Sequence, residues 1–540
     1  MTDRICPPLF LLLVVVLGLS ACRRSHFLPE EAPLIRFDQS GAVAECDPKA
    51  VARVVRSQST GTGFARLEVQ EPADGAVFPP EIAPPVFVWQ HKISDIDLWF
   101  LEVTLSMGTR RLAALTTTPF WVPEADQWEW IKSLSVESPA VFTVYGLSSE
   151  RGCQILAKGS RSIRTSKDRL GALVFYQQMP LPFSYAENHP EAFRWRLGDI
   201  RSEQPPRTVA ARLPCCSNCH SVSSDGALLG MDMDVNNDKG AYVLARIESS
   251  MDLQPSDFIS WNESIDSEGP QSMGLFSKIS PNGRFVASTT QERSFFAYLD
   301  DKAFSQFFFP IKGRISIYDR RTERFATLPG ADSPRFVQTC PAWSPDGKWL
   351  AYARAEPAPS LFEAIGDHKV LPTTPADTID SLNARHHLRF DLYRIPFNMG
   401  QGGQARPIPG ASCNGTSSFF PRYSPDGKWI VFTRSRNGLA IQPDSELWIL
   451  PASGGKARRM TCNRDVMNSW HSWSPNSRWI AFSSKDNSPY TGIYLAHVDK
   501  AGRSSPAVFL SRMSSPSMAC LVPELVPYSV GRLQHIELAR

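Results

Sequence analysis

The chain has 540 residues, 42% hydrophobic and 21% charged, with 44 prolines and 14 tryptophans. This length exceeds one ordinary core, and the composition suits a globular, turn-rich β protein. With 57 basic against 54 acidic residues and a net charge of +3, and with no long basic run, the chain is excluded as an electrostatic nucleic-acid binder.

Residues 1–22 read as an export signal. After Arg4 comes the apolar run PPLFLLLVVVLGLSA, too short for a membrane span and right for a signal-peptide core. It closes on Leu19-Ser20-Ala21-Cys22, which resembles a bacterial lipobox. The resemblance implies cleavage before Cys22, lipidation of its thiol and membrane attachment through that lipid. Arg23 and Arg24, with no aspartate at the next position, then imply the outer membrane, facing the periplasm. The alternatives are a plain signal peptide and an uncleaved anchor. Without Cys6 and Cys22 nine cysteines remain, an odd number that fixes no pairing scheme.

Residues 23–64 have no clean period and read as a tether. From 65 to 168, short apolar–polar runs such as FARLEVQEP, LWFLEVTLS and AVFTVYGLS alternate with Pro, Gly and Asp. They predict an antiparallel β-sandwich of the fibronectin III or immunoglobulin kind, with Trp89 and Trp99 in its core. Trp121, Trp128 and Trp130 are either packing residues or a sugar platform.

Residues 169–540 repeat one phrase: SVSSDGALLGMDM, KISPNGRFVAST, AWSPDGKWLAYAR, RYSPDGKWIVFTR and SWSPNSRWIAFSS. The turn serines are Ser223, Ser280, Ser344, Ser424 and Ser474. Ser opens each turn, Pro presets φ, Asp or Asn follows, and Gly takes the left-handed conformation of a short hairpin loop. One or two further strands follow each phrase, as expected for four-stranded propeller blades. The phrases closely resemble the PD40 repeat of TolB-like propellers. That resemblance implies a six-bladed β-propeller, so the fold class is all-β: a sandwich followed by a propeller. Five phrases leave the sixth blade composite, with GALVFYQQMP, AFRWRLGDI and RTVAARLP joined by an inner strand near CLVPELVPYSV. Pairing the two ends closes the ring and removes exposed edges.

Just before the first phrase stands Cys215-Cys216-Ser217-Asn218-Cys219-His220. The CxxCH spacing is the attachment pattern of haem c, with Cys216 and Cys219 attacking the vinyls and His220 beneath as axial ligand. Met231, Met233 and His471 are the candidates for the sixth position. The alternatives are a disulfide among Cys215, Cys216 and Cys219, another metal, or a structural use. His471 occupies the repeat position of His220, three before its turn serine, so the two histidines either converge near the channel mouth or His471 only packs. Asp232, Asp234, Asn236 and Asp238 alternate as calcium ligands do, but Asn237 and Val243 stand where the hand-type loop has Gly and Glu; an ordinary polar loop is the alternative. No GxSxG elbow, phosphate loop or HExxH is present, so an enzyme is the weaker reading.

Two functions follow. One is an envelope lipoprotein carrying one haem c for electron transfer or redox sensing, with partners docked on the face that bears the long inserts, 291–313 and 356–387. The other is a haem-free scaffold that binds envelope proteins or glycans.

Overall fold

The computed structural model describes residues 34–36 and 48–539, apart from 60, 62, 106–107, 109, 137, 214–219 and 265–270. The signal segment with Cys22 therefore lies outside the described residues. The chain is predominantly β, built from several sheets, none of which closes on itself.

The N-terminal part is two facing sheets. One runs Leu34–Arg36, Arg110–Thr116, Leu98–Leu105, Ala140–Ser148, Gln154–Thr165 and Ala65–Arg66; the other is Glu68–Glu71, Phe87–Gln90 and Phe120–Trp121. Val69, Phe87, Trp89 and Trp121 meet Trp99, Leu101, Val103 and Phe142 between them. Two helices break the all-strand expectation. Pro48–Gln58, within the segment read as a tether, lays Val51, Ala52 and Val55 on the outer face of the larger sheet, against Phe100 and Leu115. Its apolar residues fall on one helical stripe, and Pro sits in the first turn, where its missing N–H costs nothing. Ala125–Leu134 buries Trp128, whose Nε1 donates to the Ile82 carbonyl at 2.9 Å. Trp121 and Trp128 are thus packing residues.

Beyond residue 170 the sheets are four-stranded antiparallel units, except the one holding Ala172–Met179, which is six-stranded because His535–Leu538 adds parallel to Arg207–Ala211 and Ser250–Leu253. One apparent eight-stranded sheet is two such units bridged by a single parallel pair, Gly313 with Val337. The first strands are His220–Val222, Leu275–Ile279, Val337–Trp343, Ser417–Tyr423 and Asn468–Trp473. A sixth, Ala519–Pro527, pairs antiparallel with Ala172–Met179, so a strand near the C-terminus completes a sheet begun almost 350 residues earlier. These six strands neighbour one another in that order, and Ala519–Pro527 returns to His220–Val222.

Each repeated phrase is one hydrogen-bonded device. The Ser344 hydroxyl donates to Asp346 Oδ1 at 2.6 Å and accepts from the Trp349 N–H at 2.9 Å. Ser223, Ser280, Ser424 and Ser474 make the same pair of bonds, to Asp225 or its equivalent and to the N–H five residues on. Gly226, Gly283, Gly347 and Gly427 all adopt φ near +70°, the left-handed region that glycine enters without a Cβ clash. The fifth turn places Ser477 there.

Candidate functional site

Where the six first strands meet, five carry a bulge at one level. Phe276, Cys340, Phe420, Trp470 and Val522 each take positive φ, and the pairing register slips across all five. A bulge leaves one residue out of the ladder and re-aims its neighbours. Counted from the turn serine, Phe276, Cys340, Phe420 and Trp470 all stand four positions before it. The same position in the first phrase is Cys219, which lies outside the described residues with Cys216.

The bulged residues line a small central cavity of about 40 Å³, with Lys278, Arg422, His471, Ser472 and Glu524. A single water needs about 10–15 Å³ of such space, so there is room for a few water molecules. Lys278 Nζ donates to the His220 carbonyl at 2.7 Å, tying the second sheet to the first. The indole N–H groups of Trp343 and Trp473 donate to the carbonyls of Lys278 and Arg422, each in the preceding sheet. Burial pushes the Cys340 thiol up to about 12, so it stays protonated. Lys278 and Arg422, both two positions before a turn serine, were not singled out in the sequence; superposing the phrases would have revealed them.

His220 is 2% exposed and packs edge-to-face on Phe175, ring centroids 4.8 Å apart. Its Nε2 lies 3.8 Å from the Glu524 carboxylate and makes no hydrogen bond. Burial, then Lys278 and Arg422, push its pKa down to about 3, so the ring is neutral. His471 is equally buried and also held to about 3, by burial and Arg422. Its Nε2 faces the Val431 carbonyl at 3.1 Å. The strand Ala519–Pro527 stands between the strands of the two histidines. Met231 is the cross-strand partner of His220, and both it and Met233 are buried in the apolar core with Phe175.

An iron-ligating imidazole needs open space beyond its nitrogen. In the described residues the His220 ring meets Phe175, with the Glu524 carboxylate across from Nε2, while Cys216 and Cys219 lie outside them. The acidic loop is likewise committed locally: Asp238 Oδ1 accepts from Gly240 N–H and Asn262 Nδ2, and Asp232 Oδ1 from Ser277 Oγ. Asn236 and Asn237 turn the chain with positive φ, starting two residues after Asp234. Among the described residues no three His, Cys, Asp or Glu side chains gather as a metal would require.

The inserts build a second feature. Strands Phe285–Tyr298 and Gln306–Asp319 form one long hairpin. Ser305 Oγ near its tip accepts from the Phe183 N–H, Lys302 lies over Tyr490, and Phe304 lies beneath Lys485. Leu371 of the other insert donates its N–H to the Phe296 carbonyl. The hairpin thus reaches three other sheets, burying Phe295, Phe307 and Phe309. Beside it is a cleft of about 310 Å³ lined by Arg354, Glu356, His387, Arg389, Asp391 and Tyr393. The Arg354 guanidinium is held between the rings of Phe336 and Tyr393, at 3.9 and 3.6 Å. Burial raises the Asp391 carboxyl, against the Cys413 N–H that donates to it.

No family model and no curated protein matches this chain. Among solved structures it is similar to TolB from Acinetobacter baumannii, at 14% identity over 72% of this chain and 79% of that one, TM-score 0.39. A putative TolB from Agrobacterium tumefaciens matches at 14% identity over 65% and 97%, TM-score 0.33. Hydrazine synthase from Kuenenia stuttgartiensis matches at 15% identity over 54% and 79%, TM-score 0.28. Likenesses this loose carry no functional information. Among the described residues no helix is long and apolar enough to cross a membrane.

Proposed function

We propose that this chain is a haem-free binding scaffold of the cell envelope: a six-bladed, TolB-like propeller with a lateral β-sandwich, lipid-anchored at Cys22. Partners, proteins or glycans, dock on the face that carries the inserts. The repeated turn phrase and the cyclic order of the six first strands support the propeller reading. The observation that carries the haem-free reading is His220. Its ring is neutral, buried against Phe175 and blocked at Nε2 by Glu524. The cleft beside the long hairpin has the size of a ligand site and combines a stacked guanidinium with a half-buried carboxyl, a pairing suited to polar ligands.

The test is an absorption spectrum of the full chain made alongside haem-maturation machinery. The scaffold predicts no Soret band after acid-acetone extraction, and an unchanged fold in Cys219→Ser. A Soret band that survives extraction, and is lost in Cys219→Ser, overturns it in favour of electron transfer or redox sensing.

A further inference from the structure

The two ends of the ring differ in charge. In an antiparallel four-stranded unit the first and third connections lie at one end and the second at the other. The phrase turns and the third-to-fourth connections therefore share one face, opposite the inserts. Neighbouring units touch there: the Asp426 N–H donates to Ser477 Oγ, and Gly502 lies against the Trp429 ring.

Over the four units opened by Leu275–Ile279, Val337–Trp343, Ser417–Tyr423 and Asn468–Trp473, every phrase turn is followed by a cation: Arg284, Lys348, Lys428 and Arg478. The outer connections add exposed Arg321, Arg324, Arg406, Lys456 and Lys500. The carboxylates of these same turns are Asp319, Glu323, Asp346, Asp426 and Asp499. Four of these carboxylates sit in ion pairs, Asp319 with Arg284, Asp346 with Lys348, Asp426 with Lys428 and Asp499 with Arg503, and the nine cations still outnumber the five carboxylates. Between the cations stand two exposed apolar side chains, Trp349 (39%) and Met399 (60%), the latter on a left-handed loop that thrusts it outward. Guanidinium groups of Arg394 and Arg458 lie over Trp349 and Trp429. The first unit is different: its equivalent connection carries Glu248, Asp252 and Asp257, so the cationic surface covers one side of the ring.

From this we infer that the turn-bearing face docks on an anionic phospholipid surface, with the four cationic units down and the insert face turned away toward partners. A broad field of cations, each attracted to an anionic leaflet, with a tryptophan and a methionine projecting between them, matches a lipid interface. An acidic protein would need the cations but not the projecting apolar pair. The inference rests on the ring of the proposed function but not on the haem-free reading, so the absorption spectrum and the experiment below fail independently.

The test is hydrogen–deuterium exchange of the full chain reconstituted on vesicles of phosphatidylcholine alone or mixed with phosphatidylglycerol, so that any N-terminal anchoring is common to both. Residues 345–349, 397–405 and 452–458 should exchange several-fold more slowly on the anionic vesicles, with residues 366–377 unchanged. Salt at ~0.5 M, which shortens the screening length to a few ångströms, should remove the difference. Lys348→Glu combined with Lys428→Glu, Lys456→Glu and Arg458→Glu should weaken the protection roughly tenfold or more. Trp349→Ser with Met399→Ser should weaken it with the cations intact. Equal exchange on the two vesicles overturns the inference. So does equal protection by soluble polyglutamate, which points to an acidic protein, or protection confined to the insert face.

Discussion

Glu71 is the most informative single side chain for the joint between sandwich and ring. It lies on the sandwich strand Glu68–Glu71, 5% exposed, with Arg464 Nη2 at 3.2 Å. The same guanidinium serves Asp486 at 2.5 Å. Burial raises the Glu71 carboxyl from its ordinary 4.5 to about 7; Arg464 pulls it down, and Asp486 pushes it up again. The folded chain therefore holds a proton that the unfolded chain releases between about pH 4.5 and 7. Stability from this group is fully present below 4.5 and is lost as pH rises through 7. At about 1.4 kcal/mol per pH unit, the difference amounts to roughly 3 kcal/mol. Glu71→Gln keeps the shape and removes the titration. Urea unfolding of both proteins from pH 4 to 8.5 should show nearly equal stability at the acid end, and the variant more stable by up to roughly 3 kcal/mol at pH 8. A variant less stable by a constant amount at every pH would refute the reasoning. Glu71 would then be ionised throughout and its pairing with Arg464 net favourable.

Other outcomes follow from the turns and the central cavity. Ser344→Ala and Ser424→Ala each remove a hydroxyl that both donates and accepts within the turn, and should cost about 1–2 kcal/mol in urea midpoint analysis. Gly347→Ala adds a Cβ that meets nothing within 4 Å, so its cost of about 1–2 kcal/mol should be purely the left-handed backbone penalty. His220 and His471, both held near 3, should show neutral imidazole NMR shifts down to pH 4 in the folded chain, and Lys278→Met should raise only the His220 value. Because both folded values lie below the ordinary 6.5, their stabilising effect is present above that pH and is lost as pH falls toward 3.

Much of the sheet structure beyond residue 170 was legible because its signals are local. A turn phrase of Ser, Pro, Asp and Gly dictates its own hydrogen bonds, so five copies announced five hairpins. The pairing of Ala519–Pro527 with Ala172–Met179 was readable for another reason: three strands lacked an inner partner, and one late apolar run remained to supply it. Pro48–Gln58 and Ala125–Leu134 were missed although their signals were present. Val51, Ala52 and Val55 follow a helical period, and Gln127 Oε1 accepts from the Glu124 N–H as a helix start should. The first is one short helix in a segment otherwise without a period, and the second lies inside a strand-rich stretch, where the surrounding alternation dominates the reading. The bulges at Phe276, Cys340, Phe420 and Trp470 were not legible at all. Left-handed backbone at bulky residues is imposed by the crowding of six strands, and no residue type advertises it. The CxxCH spacing marks a chemistry that depends on space around His220, and space is a tertiary property.

Whether Cys216 and Cys219 hold haem is read most directly from peptide mass. The full chain, co-produced with haem-maturation machinery, is digested and the fragment spanning Cys215 to His220 is weighed. The account predicts the mass of the bare peptide, free or disulfide-linked. A fragment heavier by one haem would contradict it.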